Sequence, residues 1–120
     1  MAGITTQGLY VAAAAMGGST AYPSHIAVGT SGLAFASGNT TLGSEVDRNQ
    51  ITSTDLSTTE QVTFVSNFSA PEISGTILKE FGTFTDNTML DRQVLTGSLV
   101  FDGEQELQAQ TTFKFFISGT

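Results

Sequence analysis

A chain of 120 residues is long enough for one domain with a single core, and folding buries roughly two thirds of the surface that the unfolded chain exposes. Thirty-one Ser and Thr and thirteen Gly stand against only fifteen charged residues, a mixture that favours short strands and turns over long solvent-exposed helices, while nine Phe supply a core. The formal charge of −7, with Arg48, Lys79, Arg92 and Lys114 as the only Lys and Arg, excludes a basic stripe that would neutralise phosphates; the absence of Cys excludes disulfides, thiolate chemistry and cysteine metal sites.

At the N-terminal end, Thr5 and Thr6 precede Ala12 to Ala15, and Gly17-Gly18 supplies a stop, so one short helix is expected between Ile4 and Met16. Ile4, Tyr10, Val11 and Met16 make no wide apolar stripe and Gly8 interrupts the middle, so this helix gains its stability by docking, or serves as an arm laid on a neighbour. The run Gly8 to Gly18 is as long as the apolar region of a signal peptide, yet no Lys or Arg precedes it. It falls far short of the roughly 20 apolar residues of a membrane-spanning helix, and a soluble protein is expected.

Ser24 to Thr30 alternates Ile26 and Val28 with smaller residues and is expected to be a strand. Ser31 to Thr41, rich in Gly, Ser, Asn and Thr, is expected to be a loop pinned by Leu33 and Phe35 or a surface covered only on assembly; Leu42 to Val46 is expected to be a short turn of helix. Gln61 to Phe68 puts Val62, Phe64 and Phe68 on one face by period two. Ile73, Ile77 and Phe81 form another apolar set before the Asp86-Asn87 turn signal, and Met89 to Leu95 resumes extended character.

Val94 to Phe101 runs into Asp102-Gly103, a dipeptide suited to a tight hairpin turn, and a long alternating strand follows. Leu107, Ala109, Thr111, Phe113, Phe115 and Ile117 share one of its faces, with Gln108, Gln110, Thr112 and Lys114 on the other. The expected fold is mainly β: an antiparallel β-sandwich or open barrel of about six or seven strands with one short N-terminal helix. Its single domain spans 1–120, with 1–18 as helix or arm and 24–117 as the β core.

The residues that carry chemistry are few. His25 is the only histidine, so no Ser-His-Asp assembly or multi-His metal site has a second imidazole; a structural hydrogen bond is its expected role. Glu45, Asp47 and Arg48 fit a turn with an ion pair better than an acid–base pair. Asp102, Glu104 and Glu106 lie close in sequence and are a weak candidate Ca²⁺ site, with a solubilising tip as the plainer alternative. Asp91-Arg92 and Lys79-Glu80 read as outward cross-strand pairs or bridges between subunits. No phosphate-cradling loop is present: Gly29-Thr30-Ser31-Gly32 lacks the Gly-Lys-Ser/Thr ending. Neither catalytic residues nor a cofactor are expected.

Four pieces in order, Ser24 to Thr30, Thr41 to Arg48, Gly75 to Phe84 and Thr88 to Arg92, followed by the final alternating strand, resemble a family of small structural proteins of tailed bacterial and archaeal viruses, described as tail-fibre-like or as uncharacterised virion proteins. The chain departs from the family's usual E-x-G-L/F order in Glu80-Phe81-Gly82-Thr83-Phe84, where Thr follows the Gly. The resemblance implies a virion component, assembled in the host cytoplasm, whose partners are further copies of itself and neighbouring virion proteins. A symmetric oligomer in the tail, baseplate or fibre region is the leading expectation, a capsid decoration protein the alternative, and a receptor- or glycan-binding module at the host surface a further one. Tyr10, Leu33, Phe35, Asp91, Arg92 and Lys114 are the candidate interface residues.

Overall fold

The computed structural model describes residues 2–18, 22–56 and 61–114. Its elements in chain order are β1 (Ala2–Ile4), α1 (Thr6–Met16), β2 (His25–Gly29), β3 (Glu45–Gln50), β4 (Ser53–Asp55), β5 (Gln61–Phe68), α2 (Ala70–Ile73), β6 (Ile77–Thr85), β7 (Thr88–Val100) and β8 (Leu107–Lys114). The strands form two antiparallel sheets, ordered β1-β7-β6-β2-β3 and β4-β5-β8. The expected mainly-β fold with a short N-terminal helix is what forms, with eight strands among the described residues rather than six or seven.

One apolar core joins the sheets. Ile26 and Val28 of β2 and Leu78 of β6 meet Phe64 and Phe68 of β5 and Ala109 of β8, with Ile73 and Phe101 closing the ends. Each large side chain that is fully withdrawn from water here contributes about 1.5–3 kcal/mol. Phe113 meets Phe64 edge-on, ring centroids 6.0 Å apart. The alternation expected for β8 holds as far as it is described: Ala109 and Thr111 are buried and Gln108, Gln110, Thr112 and Lys114 exposed. Phe115 and Ile117 lie outside the described residues.

The opposite face of the larger sheet is covered as well. Ala27, Phe84 and Met89 pack there against Leu42, which the loop between β2 and β3 presents. With both faces covered, successive residues of a strand are buried together, as Ile26, Ala27 and Val28 are.

The helix is anchored through its first turn. A register shift between Thr83 and Phe84 leaves Leu90 as an extra residue in β7, and the Leu90 carbonyl accepts the Thr5 N–H at 2.8 Å. The Thr5 hydroxyl donates to the Met89 carbonyl at 2.7 Å and accepts from the Gly8 N–H at 3.1 Å, which makes Thr5 both N-cap and anchor. Gly8 costs intrinsic helix stability but lets the helix approach the strand: a Cβ there would overlap the Leu90 carbonyl.

Three expectations are corrected. Val94 to Phe101 and the last strand do not form a hairpin, because β7 pairs with β6 whereas β8 pairs with β5 through eight consecutive residue pairs. The Asp102-Gly103 segment, with Gly103 at φ +108°, instead carries the chain from one sheet to the other. The helical turn expected over Leu42–Val46 does not form; Leu42 is a buried loop anchor and Glu45 begins β3. Ile77, expected in an apolar set with Ile73 and Phe81, is 47% exposed, while its neighbour Leu78 enters the core. The Asp86-Asn87 turn is found as expected, with Asp86 at φ +52°.

Candidate functional site

The densest polar arrangement lies under the loop that links β2 to β3. Glu80 of β6 is fully buried and Arg92 of β7 is 2% exposed. The Arg92 Nε donates to Glu80 Oε1 at 2.9 Å. Three backbone N–H groups complete the carboxylate's surroundings: Gly43 donates to Oε1 at 2.8 Å, and Ser31 and Ser44 donate to Oε2 at 3.0 and 2.8 Å. Four donors on two oxygens match what an ionised carboxylate accepts. One buried side chain thus closes both ends of the 30–44 loop.

The local sequence makes this approach possible. A Cβ at Gly29 would lie 2.5 Å from Glu80 Oε2, and one at Gly43 would lie 2.4 Å or so from the Ser31 hydroxyl, so both glycines leave room for the carboxylate and its turn. Burial pushes the Glu80 carboxyl up, but the N–H groups of Ser44 and Gly43, the Arg92 guanidinium and the Ser31 N–H together outweigh it and hold the pKa below the usual 4.5. Arg92 extends beneath the loop, its Nη1 at 3.4 Å from the Ala34 carbonyl, while its Nη2 is buried without a hydrogen-bond partner. The loop also bonds to the helix: the Thr6 N–H donates to the Ser37 carbonyl at 2.9 Å.

The outward or intersubunit pairing expected for Asp91-Arg92 and Lys79-Glu80 is therefore corrected. Only Lys79 of the four is exposed; Glu80 and Arg92 pair with each other inside. Asp91 is buried too, accepting from the Thr83 N–H at 3.0 Å and from the Gln93 amide at 3.3 Å. Burial pushes its carboxyl above the usual 3.8, against the pull of those bonds. Asp91 and Arg92 thus face inward and present no interface surface on this chain. The other interface candidates divide: Tyr10 and Leu33 are 72% and 74% exposed, Lys114 is exposed at the end of β8, and Phe35 is half-buried.

A second polar cluster occupies the β3 edge. Arg48 holds Glu45 with two hydrogen bonds of 2.8 and 3.2 Å, and its guanidinium lies 3.8 Å above the Phe84 ring. Beside it, Glu72 accepts from the Ser69 N–H at 2.8 Å and from the Asn49 amide at 3.0 Å, which hold it down at about 2. Asp47 is pushed up by burial, against its bond from the Arg48 N–H, and further by Glu72. The ion pair expected of Glu45 and Arg48 is present, but the turn expected to carry it is not: both residues lie in β3, and Glu72 caps α2.

Asp102, Glu104 and Glu106, the weak calcium candidate, lie in the segment that links β7 of one sheet to β8 of the other. Asp102 Oδ1 accepts from the Glu104 N–H at 3.2 Å, and the Asp102 N–H donates to Gln105. Among the described residues no group of three His, Asp or Glu is placed to hold a metal ion. His25 Nδ1 pairs with the Ser24 hydroxyl at 2.7 Å, consistent with a structural role.

An open groove of about 270 Å³ separates α1 from the smaller sheet, lined by Val11, Ala12, Val62, Phe64, Leu90 and Phe113 among others. Its walls are almost wholly apolar and carry no titratable carboxyl or imidazole. No described helix is long and apolar enough to cross a membrane. The sequence does not single out Glu80, because Lys79 beside it makes the two look like a surface pair; the signal that marks it is its place two residues after Leu78 on one strand face, with Gly29 and Gly43 on either side of a loop. The chain matches no family model, no curated protein and no solved structure.

Proposed function

We propose that this chain is a non-catalytic structural protein of a tailed-virus particle, acting by assembly into a symmetric oligomer in the tail, baseplate or fibre region. The observation that carries the proposal is the use of the polar residues in its motif segments. Glu80 and Arg92, which belong to two of the four segments resembling tailed-virus proteins, are consumed in holding the 30–44 loop closed. Their chemistry stabilises a scaffold.

The outer surface supports contact as the mode of action. Tyr10 and Met16 of α1, Tyr22 ahead of β2 and Leu33 in the loop are all mostly exposed, and aromatic and methionine side chains of this kind anchor protein interfaces. Partners are then further copies of the chain and adjoining virion proteins. A position on the head shell as a decoration protein is the second reading, favoured by the charge of −7, which suits a permanently solvated exterior.

Quantitative mass spectrometry of purified particles tests both. A few to a few tens of copies per particle is the outcome expected for a tail or baseplate component, whereas hundreds indicate the shell. Complete absence of the chain from intact particles overturns the proposal.

A further inference from the structure

We infer that β8 is a homotypic docking edge, on which a second copy of this chain pairs antiparallel about a two-fold axis through Gln110, joining the two three-stranded sheets into one of six. The inference rests on the assembly reading above and names its surface.

The described sheet edges differ sharply. β1 and β4 have three residues each, and β3 carries Glu45, Asp47 and Arg48 beside a register shift at Val28/Gly29. Shortness, charge and irregularity are the usual devices that keep an edge from pairing with another chain. β8 has none of them. It is eight residues long, contains neither Pro nor Gly, runs in unbroken register with β5, and carries one charge, Lys114, at its last described position. Among the described residues no strand lies along its other side.

The sequence of this edge is complementary to itself. With Gln110 opposite Gln110, the antiparallel register sets Glu106 against Lys114, Gln108 against Thr112, Leu107 against Phe113 and Ala109 against Thr111. Lys114 and Glu106, the residue just before β8, are thereby paired twice, once at each end, and on the core side Leu107 meets Phe113 while the small Ala109 meets Thr111. Shifting either copy by two residues breaks the charge pairing. A side-chain ladder already leads towards the axis: the Gln108 amide reaches Asn67 at 3.4 Å and the Gln110 amide reaches Gln108 at 3.2 Å. Across the axis it would continue through the partner's Gln110. This complementarity commits the edge to another copy rather than to an unrelated peptide.

Sedimentation velocity over a concentration series, on the full chain, tests the inference. Wild type is expected to pass from monomer to dimer. Lys114→Glu, which sets carboxylate against carboxylate at both ends, is expected to weaken dimerisation about tenfold, and the double variant Glu106→Lys/Lys114→Glu to restore it. Because the chain lacks cysteine, Gln110→Cys should cross-link to itself under mild oxidation, whereas Thr63→Cys on β5 should not, the fold of both variants being checked by far-UV circular dichroism. An oligomer unaffected by the charge reversals, with no Gln110→Cys link, overturns the β8 edge and leaves assembly through another surface intact. A monomer at every concentration overturns both.

Discussion

Glu80 and Arg92 meet at 2.9 Å across adjacent strands, and the carboxylate simultaneously gathers the N–H groups of Ser31, Gly43 and Ser44. The loop from 30 to 44 is thus bonded to the sheet through one buried anion, and its outer surface, including Leu33, is displayed by a fixed base.

Replacing Glu80 with Ala strands the Arg92 guanidinium and three N–H groups together. The expected loss is about 3–5 kcal/mol, the usual cost of removing one partner from a buried pair. Replacing both partners with apolar residues should cost less than the Glu80 change alone. Urea unfolding of the single and double variants measures the difference, and amide exchange should show Ser31, Gly43 and Ser44 losing protection first.

The helix anchor makes a contrary prediction to helix propensity. Gly8→Ala would stabilise an isolated helix by roughly 1 kcal/mol, yet here its methyl group meets the Leu90 carbonyl. A net loss of about 1–3 kcal/mol is expected from overpacking, with a fall in melting temperature. Gly17→Ala is the control, since its Cβ would sit at ordinary contact distance, 3.4 Å from the Ala14 carbonyl.

Two loop residues separate folding from assembly. Leu42 is buried against Ala27, Phe84 and Met89, and Leu42→Ala should cost about 2–5 kcal/mol. Leu33 is exposed, so Leu33→Ser should change monomer stability by less than about 0.5 kcal/mol. If Leu33 is an interface residue, that same change weakens incorporation into particles, read as copies per particle.

Acid should loosen the fold in a defined order of sign. Glu80 and Glu72 have pKa values lowered from 4.5, Glu72 to about 2. Each therefore contributes stability that is fully present above pH 4.5 and is lost as pH falls through its folded value. Asp91, raised above 3.8, acts oppositely: its contribution is present at low pH and lost as pH rises through the raised value. Unfolding midpoints between pH 7 and pH 2 should fall less steeply in Glu72→Gln than in wild type, and Asp91→Asn should gain relative to wild type as pH rises.

Much of this was legible because it is local. The alternation of β5 and β8, the Thr5 cap and the Asp86 turn follow from residue type at short range. Partner choice is not local: Asp102-Gly103 signals a change of direction but does not say that β8 pairs with β5, some forty residues earlier. β3 reads Glu-Val-Asp-Arg-Asn-Gln, with no apolar alternation, because it is an edge strand held largely by backbone pairing and the Arg48 contacts. The outward assignment of Arg92 and Asp91 fails for a related reason. Period two assigns one face to water, and this part of the larger sheet is covered on both, so two successive charged residues are buried together.

A density map of intact particles decides whether this chain is, as we propose, a built-in part of a virus particle. Repeated copies are expected at the tail, baseplate or fibre, packed through exposed strand edges and the surface carrying Tyr10 and Leu33. Particles whose complete density contains no copy of this fold would contradict the proposal.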